Sequence, residues 1–220
     1  MKTAIGRCLN DSRINQRHSL AAAAVFIIGD LLFITFNFGQ TVRACVAVVG
    51  LATIVVSLDG DMISAGLRLT PKQGWAAWVR TSAIIALAVG LCIGVAATAI
   101  YLSGHVVPIY VPPPDNLMHR FVSMCFVAPV IEETLYRFVV CVPLVALLRE
   151  WPTIAISGVL FAALHVVYGN PSPENLLGGF FLAWAFLKSE TIVVPLILHS
   201  VGNSIALAGQ VAGWYFFNQI

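Results

Sequence analysis

Apolar runs of the length of a membrane-spanning helix recur along most of this chain of 220 residues, and few charges interrupt them. Only 10% of the residues are charged, whereas a soluble domain averages about 25%. In hydrocarbon a backbone must satisfy its own hydrogen bonds, which leaves helices and closed barrels as spanning structures. Because the runs are helix-length and do not alternate with polar residues, the sequence predicts an all-α fold. This is a polytopic membrane helical bundle of seven or eight transmembrane helices, forming one integral membrane domain over residues 1–220.

Most of the seven predicted spans are near the ~20 residues that a bilayer requires. They cover residues 19–38, 41–58, 81–102, 117–148, 152–168, 174–187 and 191–207, and residues 209–220 are the candidate for an eighth. Residues 59–80, which include Trp75 and Trp78, are predicted to form a loop and an interfacial amphipathic piece. The run 117–148 would be about 48 Å long as a helix, more than a ~30 Å hydrocarbon core. We therefore expect a tilt, or kinks at Pro129 and Pro143.

Basic residues indicate the orientation of the bundle. With the N-terminus in the cytoplasm, nine of the twelve Lys and Arg residues fall on the inner side, Arg43 and Arg120 fall on the outer side, and Arg137 lies within the membrane. Cytoplasmic loops carry the excess of Lys and Arg, so we predict a cytoplasmic N-terminus, in a bacterial cytoplasmic membrane. The net charge of +2, without a basic cluster, argues against nucleic acid as a partner.

Ionisable and amide side chains at membrane depth mark the C-terminal half of the chain. They are Glu132, Glu133 and Arg137 in the fourth predicted span, His165 in the fifth, and His199 and Asn203 in the seventh. A charge at bilayer depth costs between about 2.5 and more than 10 kcal/mol, so it is kept mainly where it faces other polar groups or does chemistry. At ~1.5 Å per residue from the inner helix ends, these side chains reach similar depths. We therefore predict that they meet.

Structural explanations for these residues stay open at this point. Glu133 and Arg137 lie four positions apart on one helical face and could form an ion pair that only neutralises itself. The adjacent Glu132 points about 100° away and is free for another role. A single intramembrane histidine is more often a packing residue than a ligand. Asp30, in the first span, is predicted to satisfy polar groups of a neighbouring helix.

The same polar side chains would also suit functions that involve no catalysis. A proton-coupled transporter is one, since intramembrane Glu, His and Arg also form proton relays, and a non-catalytic membrane chaperone or immunity factor is another. The sequence contains no GxxxxGKS, GxSxG or HExxH pattern, so nucleotide hydrolysis and serine-type catalysis have no support. The five cysteines form no CxxC pair and give no support for a disulfide framework.

Three motifs in order resemble a family of intramembrane proteases. They are Glu132-Glu133-x-x-x-Arg137, Phe161-x-x-x-His165 and His199-x-x-x-Asn203, and the family includes type II CAAX prenyl endopeptidases and bacteriocin-processing or abortive-infection proteins. The resemblance covers about residues 117–208, the predicted catalytic core. It implies an endopeptidase that cleaves near the C-terminus, or within a membrane-embedded segment, of a substrate protein. By position it implies that Glu132 activates water with help from His165, that His199 and Asn203 stabilise the oxyanion, and that Glu133, Arg137 and Phe161 support them.

The resemblance leaves two mechanisms open, one metal-free and one with zinc. Glu132, His165 and His199 could form a three-ligand zinc site with one open position. We favour the version without a cofactor, because an amide donor such as Asn203 suits an oxyanion hole better than a metal shell. The expected partners are membrane lipid and a peptide or membrane-anchored protein. The segment 168–175 resembles a subset of the family that trims C-terminal sorting anchors.

Overall fold

Helices make up most of the computed structural model, which describes residues 3–10, 13–104 and 115–217. After a 3₁₀ turn at Arg7–Asn10, the helices are α1 (Arg13–Thr35), α2 (Gly39–Ser57), α3 (Trp75–Leu102), α4 (Leu117–Val122), α5 (Ala128–Glu133), α6 (Cys141–Leu148), α7 (Glu150–Val167), α8 (Pro173–Ser189) and α9 (Val193–Phe217). In these ranges the only extended pairing is an isolated bridge between Leu67 and Thr191. The predicted all-α helical bundle is confirmed.

Five of the helices, α1, α2, α3, α7 and α9, are long and apolar enough to cross a membrane. Of the other two predicted spans, α8 has 17 residues, and the run 117–148 is divided among α4, α5 and α6. Residues 209–217 continue α9 without a break, so the predicted eighth helix is not separate over the part that the structure describes. The predicted interfacial piece with Trp75 and Trp78 was also wrong as a separate element, because both residues lie in the first turns of α3.

Two π turns divide the run 117–148. Ser123–Val127 joins α4 to α5, and Thr134–Val139 leads from α5 towards α6. Each π turn contains the residue four positions before a proline, Pro129 or Pro143. A proline has no N–H to donate to that residue, and its ring crowds the carbonyl there. The expected kinks at the prolines therefore take the form of wider turns just before them.

This interrupted helix occupies the centre of the bundle. Of residues 131–145, all but 134 and 144 are buried, and the side chains of Leu135, Tyr136 and Phe138 have no exposed surface. The surrounding helices instead expose apolar side chains on their outer faces, as Val56 on α2 and Ile205 on α9 do. Lipid can cover such faces, so the polar residues of the centre are separated from water by protein.

A cap of backbone and side-chain contacts closes one end of the bundle and consists of residues 3–10, 58–74 and 189–192. Glu190 is its centre, because the buried carboxylate accepts hydrogen bonds from Ala4 N at 2.9 Å and Lys72 Nζ at 2.6 Å. Nearby, hydrogen bonds from Cys8 Sγ and Ser64 Oγ lower the pKa of Asp61 from 3.8 to about 2. The cap thus fixes the N-terminal segment against the turn between α8 and α9.

Candidate active site

Two adjacent glutamates, Glu132 and Glu133, end α5 in the centre of the bundle, where their exposed fractions are 5% and 0%. Glu133 accepts hydrogen bonds from Arg137 Nε at 3.0 Å and from His199 Nδ1 at 2.9 Å. Glu132 Oε1 lies 3.9 Å from Arg43 Nη1, and its Oε2 lies 3.8 Å from His199 Nε2. Both distances exceed that of a hydrogen bond. One carboxylate is therefore fixed by the bundle, while the other faces a guanidinium and an imidazole without a direct bond to either.

Arg137 is fully buried, and its charge is balanced by Glu133. Its Nη1 donates to Ser157 Oγ at 2.7 Å, and Ser157 Oγ donates in turn to the Tyr136 carbonyl at 2.8 Å. Its Nη2 has no hydrogen-bond partner among the described residues, but the guanidinium carbon lies 4.8 Å from the centre of the Phe161 ring. A cation over an aromatic face is attracted by the ring quadrupole. Arg137 therefore ties the central helix to α7.

Both intramembrane histidines contact the Phe161 ring, with centroid distances of 4.5 Å for His165 and 5.7 Å for His199. The Nδ1 of His199 faces the Glu133 carboxylate, and the Nδ1 of His165 lies 3.0 Å from the Phe161 carbonyl oxygen. These oxygens act as acceptors, so Nδ1 carries the proton in each ring. The Nε2 atoms are then left for other contacts. Among the described residues, no hydrogen bond or ion pair joins His165 to Glu132.

Asn203 lies on α9 and donates from Nδ2 to the Met124 carbonyl at 2.7 Å. The first π turn explains why this carbonyl is available. The Ala128 N–H bonds to Ser123 O five residues back, and the next position is Pro129, which has no N–H. Met124 O therefore receives neither of the backbone donors that a helix would supply, and Asn203 satisfies it. One amide proton of Asn203 is used in this way, and the second remains.

Arg43 is the residue that the sequence prediction misplaced. The count of basic residues put it on the outer side of the membrane, but it is 2% exposed and lies inside the bundle. It pairs with Asp30 through Nε at 2.7 Å and donates from Nη1 to Tyr168 OH at 2.8 Å. An acid in the first span requires a partner, and Arg43 is the basic residue nearest to Asp30 that a predicted span contains. The requirement of Asp30 for a basic partner could therefore have predicted that Arg43 lies inside the bundle. The cytoplasmic N-terminus stays a prediction.

The three residues of the zinc alternative do not form a ligand set. Within residues 3–10, 13–104 and 115–217, no group of three or more His, Cys, Asp or Glu side chains is arranged to hold a metal ion. Among these residues no hydrogen bond or ion pair joins His165 to Glu132, two of the three ligands of that alternative. The side chains present do not fit a bound zinc ion, and we derive no step through one.

The close contact of α7 with α8 holds Phe161 in place. A Cβ atom at Gly179 would lie 2.7 Å from Phe161 Cβ and 2.9 Å from its Cδ1, whereas a Cβ atom at the neighbouring Gly178 would meet nothing within 4 Å. Only a residue without a side chain fits at position 179. The packing of the two helices therefore sets the position of the ring that both histidines and Arg137 contact.

We expect Gly179→Ala to displace Phe161, to lower the free energy of unfolding by about 1–3 kcal/mol and to reduce any activity of the site. Gly178→Ala is the matched control, because its methyl group enters open space and alanine favours a helix over glycine by up to about 1 kcal/mol. Unfolding in mixed detergent micelles measures both variants. Equal stability of the two would contradict the assigned role of the α7–α8 contact.

Comparison with protein-family models finds a match to part of the chain. The family model described as type II CAAX prenyl endopeptidase Rce1-like matches residues 114–205. No curated protein and no solved structure matches the chain. The matched segment contains all three motifs and the two π turns, and it agrees with the predicted resemblance, which is confirmed. The match supports a membrane-embedded endopeptidase of CAAX type.

Proposed function

Because residues 114–205 match the Rce1-like family of type II CAAX prenyl endopeptidases, we propose that this protein is an intramembrane endopeptidase whose base is Glu132. The proposal rests on the surroundings of that carboxylate, which is buried but accepts no hydrogen bond from a described residue. Glu132 is 5% exposed, and the two basic side chains that face it, His199 and Arg43, lie at 3.8 and 3.9 Å. A buried carboxylate with free lone pairs can take a proton from a nucleophilic water.

In the proposed reaction, Glu132 accepts one proton of a water molecule as its oxygen attacks the peptide carbonyl. The carbonyl oxygen becomes an oxyanion, for which a protonated His199 Nε2 and the remaining amide proton of Asn203 are the candidate donors. When the C–N bond breaks, Glu132 returns its proton to the leaving amine. His165 is proposed to assist by holding the water through its Nε2, which makes no hydrogen bond to a described residue.

Glu133 and Arg137 support the site in this proposal. Glu133 holds His199 by its Nδ1 at 2.9 Å and stabilises the imidazolium form, as the carboxylate of a catalytic triad does for its histidine. Arg137 balances the charge of Glu133, so that the adjacent carboxylates of Glu132 and Glu133 do not compete for one proton. Donors and base would then be fixed before substrate binds, in a region from which protein and lipid exclude bulk water.

The proposed substrate is a protein anchored in the membrane, cleaved near its C-terminus. The experiment uses purified protein in liposomes with one peptide in three forms: soluble, carrying a C-terminal transmembrane anchor, and prenylated at a cysteine. Products are identified by mass spectrometry. We expect cleavage of an anchored form, with the cut sites identifying which anchor is accepted. Stable binding without any cleavage would favour the non-catalytic chaperone, and proton flux without cleavage would favour the transporter.

Turnover is expected to survive metal chelators, because the described residues of the site offer no three-ligand set. The measurement is peptide cleavage after treatment with EDTA or 1,10-phenanthroline, together with the zinc content of the active protein. Stoichiometric zinc, with activity that is lost on chelation and restored by added Zn²⁺, would contradict the metal-free mechanism. It would leave the proposed peptidase activity intact.

A further inference from the structure

A series of buried polar groups leads from α1 to Glu132. The Asp30 carboxylate has no exposed surface and accepts hydrogen bonds from Arg43 Nε at 2.7 Å and Nη2 at 3.1 Å. Tyr136 OH also donates to Asp30, at 3.3 Å. The third nitrogen of the guanidinium, Nη1, donates to Tyr168 OH at 2.8 Å and lies 3.9 Å from Glu132 Oε1. Arg43 is thus held on one side and faces the proposed base on the other.

We propose that Arg43, held by Asp30, is a positioning residue that sets the direction of the Glu132 carboxylate. The inference rests on the proposed function, since it concerns the same base. An arginine fork normally binds a carboxylate through two parallel hydrogen bonds. Here the fork is already used by Asp30, so Glu132 is attracted by the charge without being bound by it.

The geometry explains how an ion pair can orient a base and leave it reactive. Attraction to Arg43 turns Glu132 Oε1 towards α2, and Oε2 is then turned towards His199 Nε2, 3.8 Å away. A direct pair between Arg43 and Glu132 would use the lone pairs that must accept a proton. Asp30 and Tyr168 prevent such a direct pair by keeping Arg43 Nη1 at 3.9 Å from Glu132 Oε1. Asp30 therefore acts through Arg43, and neither residue needs to contact substrate.

The two variants that break this pair should fail in different ways. In Arg43→Gln the orienting charge is lost, and in Asp30→Asn the guanidinium is released to bind Glu132 directly. We expect each to lower kcat by up to about 10²-fold, the loss that a misplacement near 1 Å can cause, with KM changed by less than about threefold. Arg43→Lys keeps the charge without the fork and should have an intermediate kcat. Arg80→Gln, on an exposed position of α3, is the matched control and should behave as the wild type.

The double variant Asp30→Asn/Arg43→Gln separates positioning from folding. Arg43→Gln leaves the buried Asp30 carboxylate without its cation, and Asp30→Asn removes the carboxylate that binds the Arg43 fork. Either change destabilises the bundle, whereas removal of the whole pair can be nearly neutral for stability. We therefore expect the double variant to regain the unfolding midpoint of the wild type while its kcat stays low. Should the single variants fail to fold, the double variant and Arg43→Lys still carry the test.

Two outcomes would overturn the inference in distinguishable ways. Recovery of kcat together with stability in the double variant would mean that Arg43 serves only the fold, and the proposed peptidase would stand. Full activity of Glu132→Gln in the same liposome assay would show that Glu132 is not the base. It would contradict both the proposed mechanism and the role of Arg43. A low kcat in the stable double variant, beside an inactive Glu132→Gln, supports the proposal.

Discussion

Glu132→Gln is expected to lower peptide turnover in liposomes by at least about 10²- to 10⁴-fold, the contribution of a positioned general base. Glutamine has nearly the same shape, but its amide cannot accept the proton of a nucleophilic water at neutral pH. Because Glu132 makes no direct hydrogen bond to a described residue, its replacement should cost the bundle little stability. The expected result is therefore a folded protein that binds its anchored substrate and does not cleave it.

A suitable control for this variant is Glu174→Gln, which neutralises an exposed acid in the first turn of α8. Initial rates, substrate binding and the unfolding midpoint are measured for both variants. Loss of turnover in Glu132→Gln with an unchanged midpoint would identify the carboxylate as the proton acceptor. If the variant retained wild-type turnover, another group would have to be the base.

The helices were predictable because their signal is local. The length of each apolar run sets the length of a spanning helix, and a proline within a run predicts an interruption. The form of the interruption was not predictable, since a kink, a tilt and a π turn all relieve the clash that Pro129 or Pro143 creates. The π turn before Pro129 has a consequence that depends on packing, because it releases the Met124 carbonyl to Asn203 of another helix.

Contacts between residues four positions apart were predictable from spacing, whereas for residues on different helices the depths predicted only that the side chains meet and not which atoms pair. Glu133 and Arg137 share one helical face, and the spacing alone places them within reach. The bond from His199 to Glu133 joins residues 66 positions apart and depends on how α9 packs. Arg43 was misplaced for the same reason. Its partner Asp30 lies on another helix, and a basic residue near a helix end is equally well placed to face the membrane surface.

Arg137→Met is expected to destabilise the folded protein by about 3–5 kcal/mol, the cost of leaving one partner of a buried ion pair uncompensated. Methionine fills a similar volume, so the loss comes mainly from the Glu133 carboxylate, which would keep only His199 as a partner. Ser157 would also lose the donor at 2.7 Å. Unfolding in mixed detergent micelles measures the effect, and Arg80→Met, at an exposed position, is the matched control with an expected change near zero.

Comparison with Glu133→Gln/Arg137→Met tests whether the pair exists for stability or for the site. With both charges removed, no buried ion is left without a partner, and much of the stability should return, as it does when buried pairs are replaced by neutral residues. Turnover should nevertheless stay low, because His199 would lose the carboxylate that holds its Nδ1 and favours its charged form. A double variant that regained both stability and turnover would show that the pair only neutralises itself. A stable but inactive double variant would instead mean that the pair serves the site. The bundle would then keep two charges in its centre, despite their desolvation cost, because Glu133 holds Nδ1 of His199 and favours its charged form.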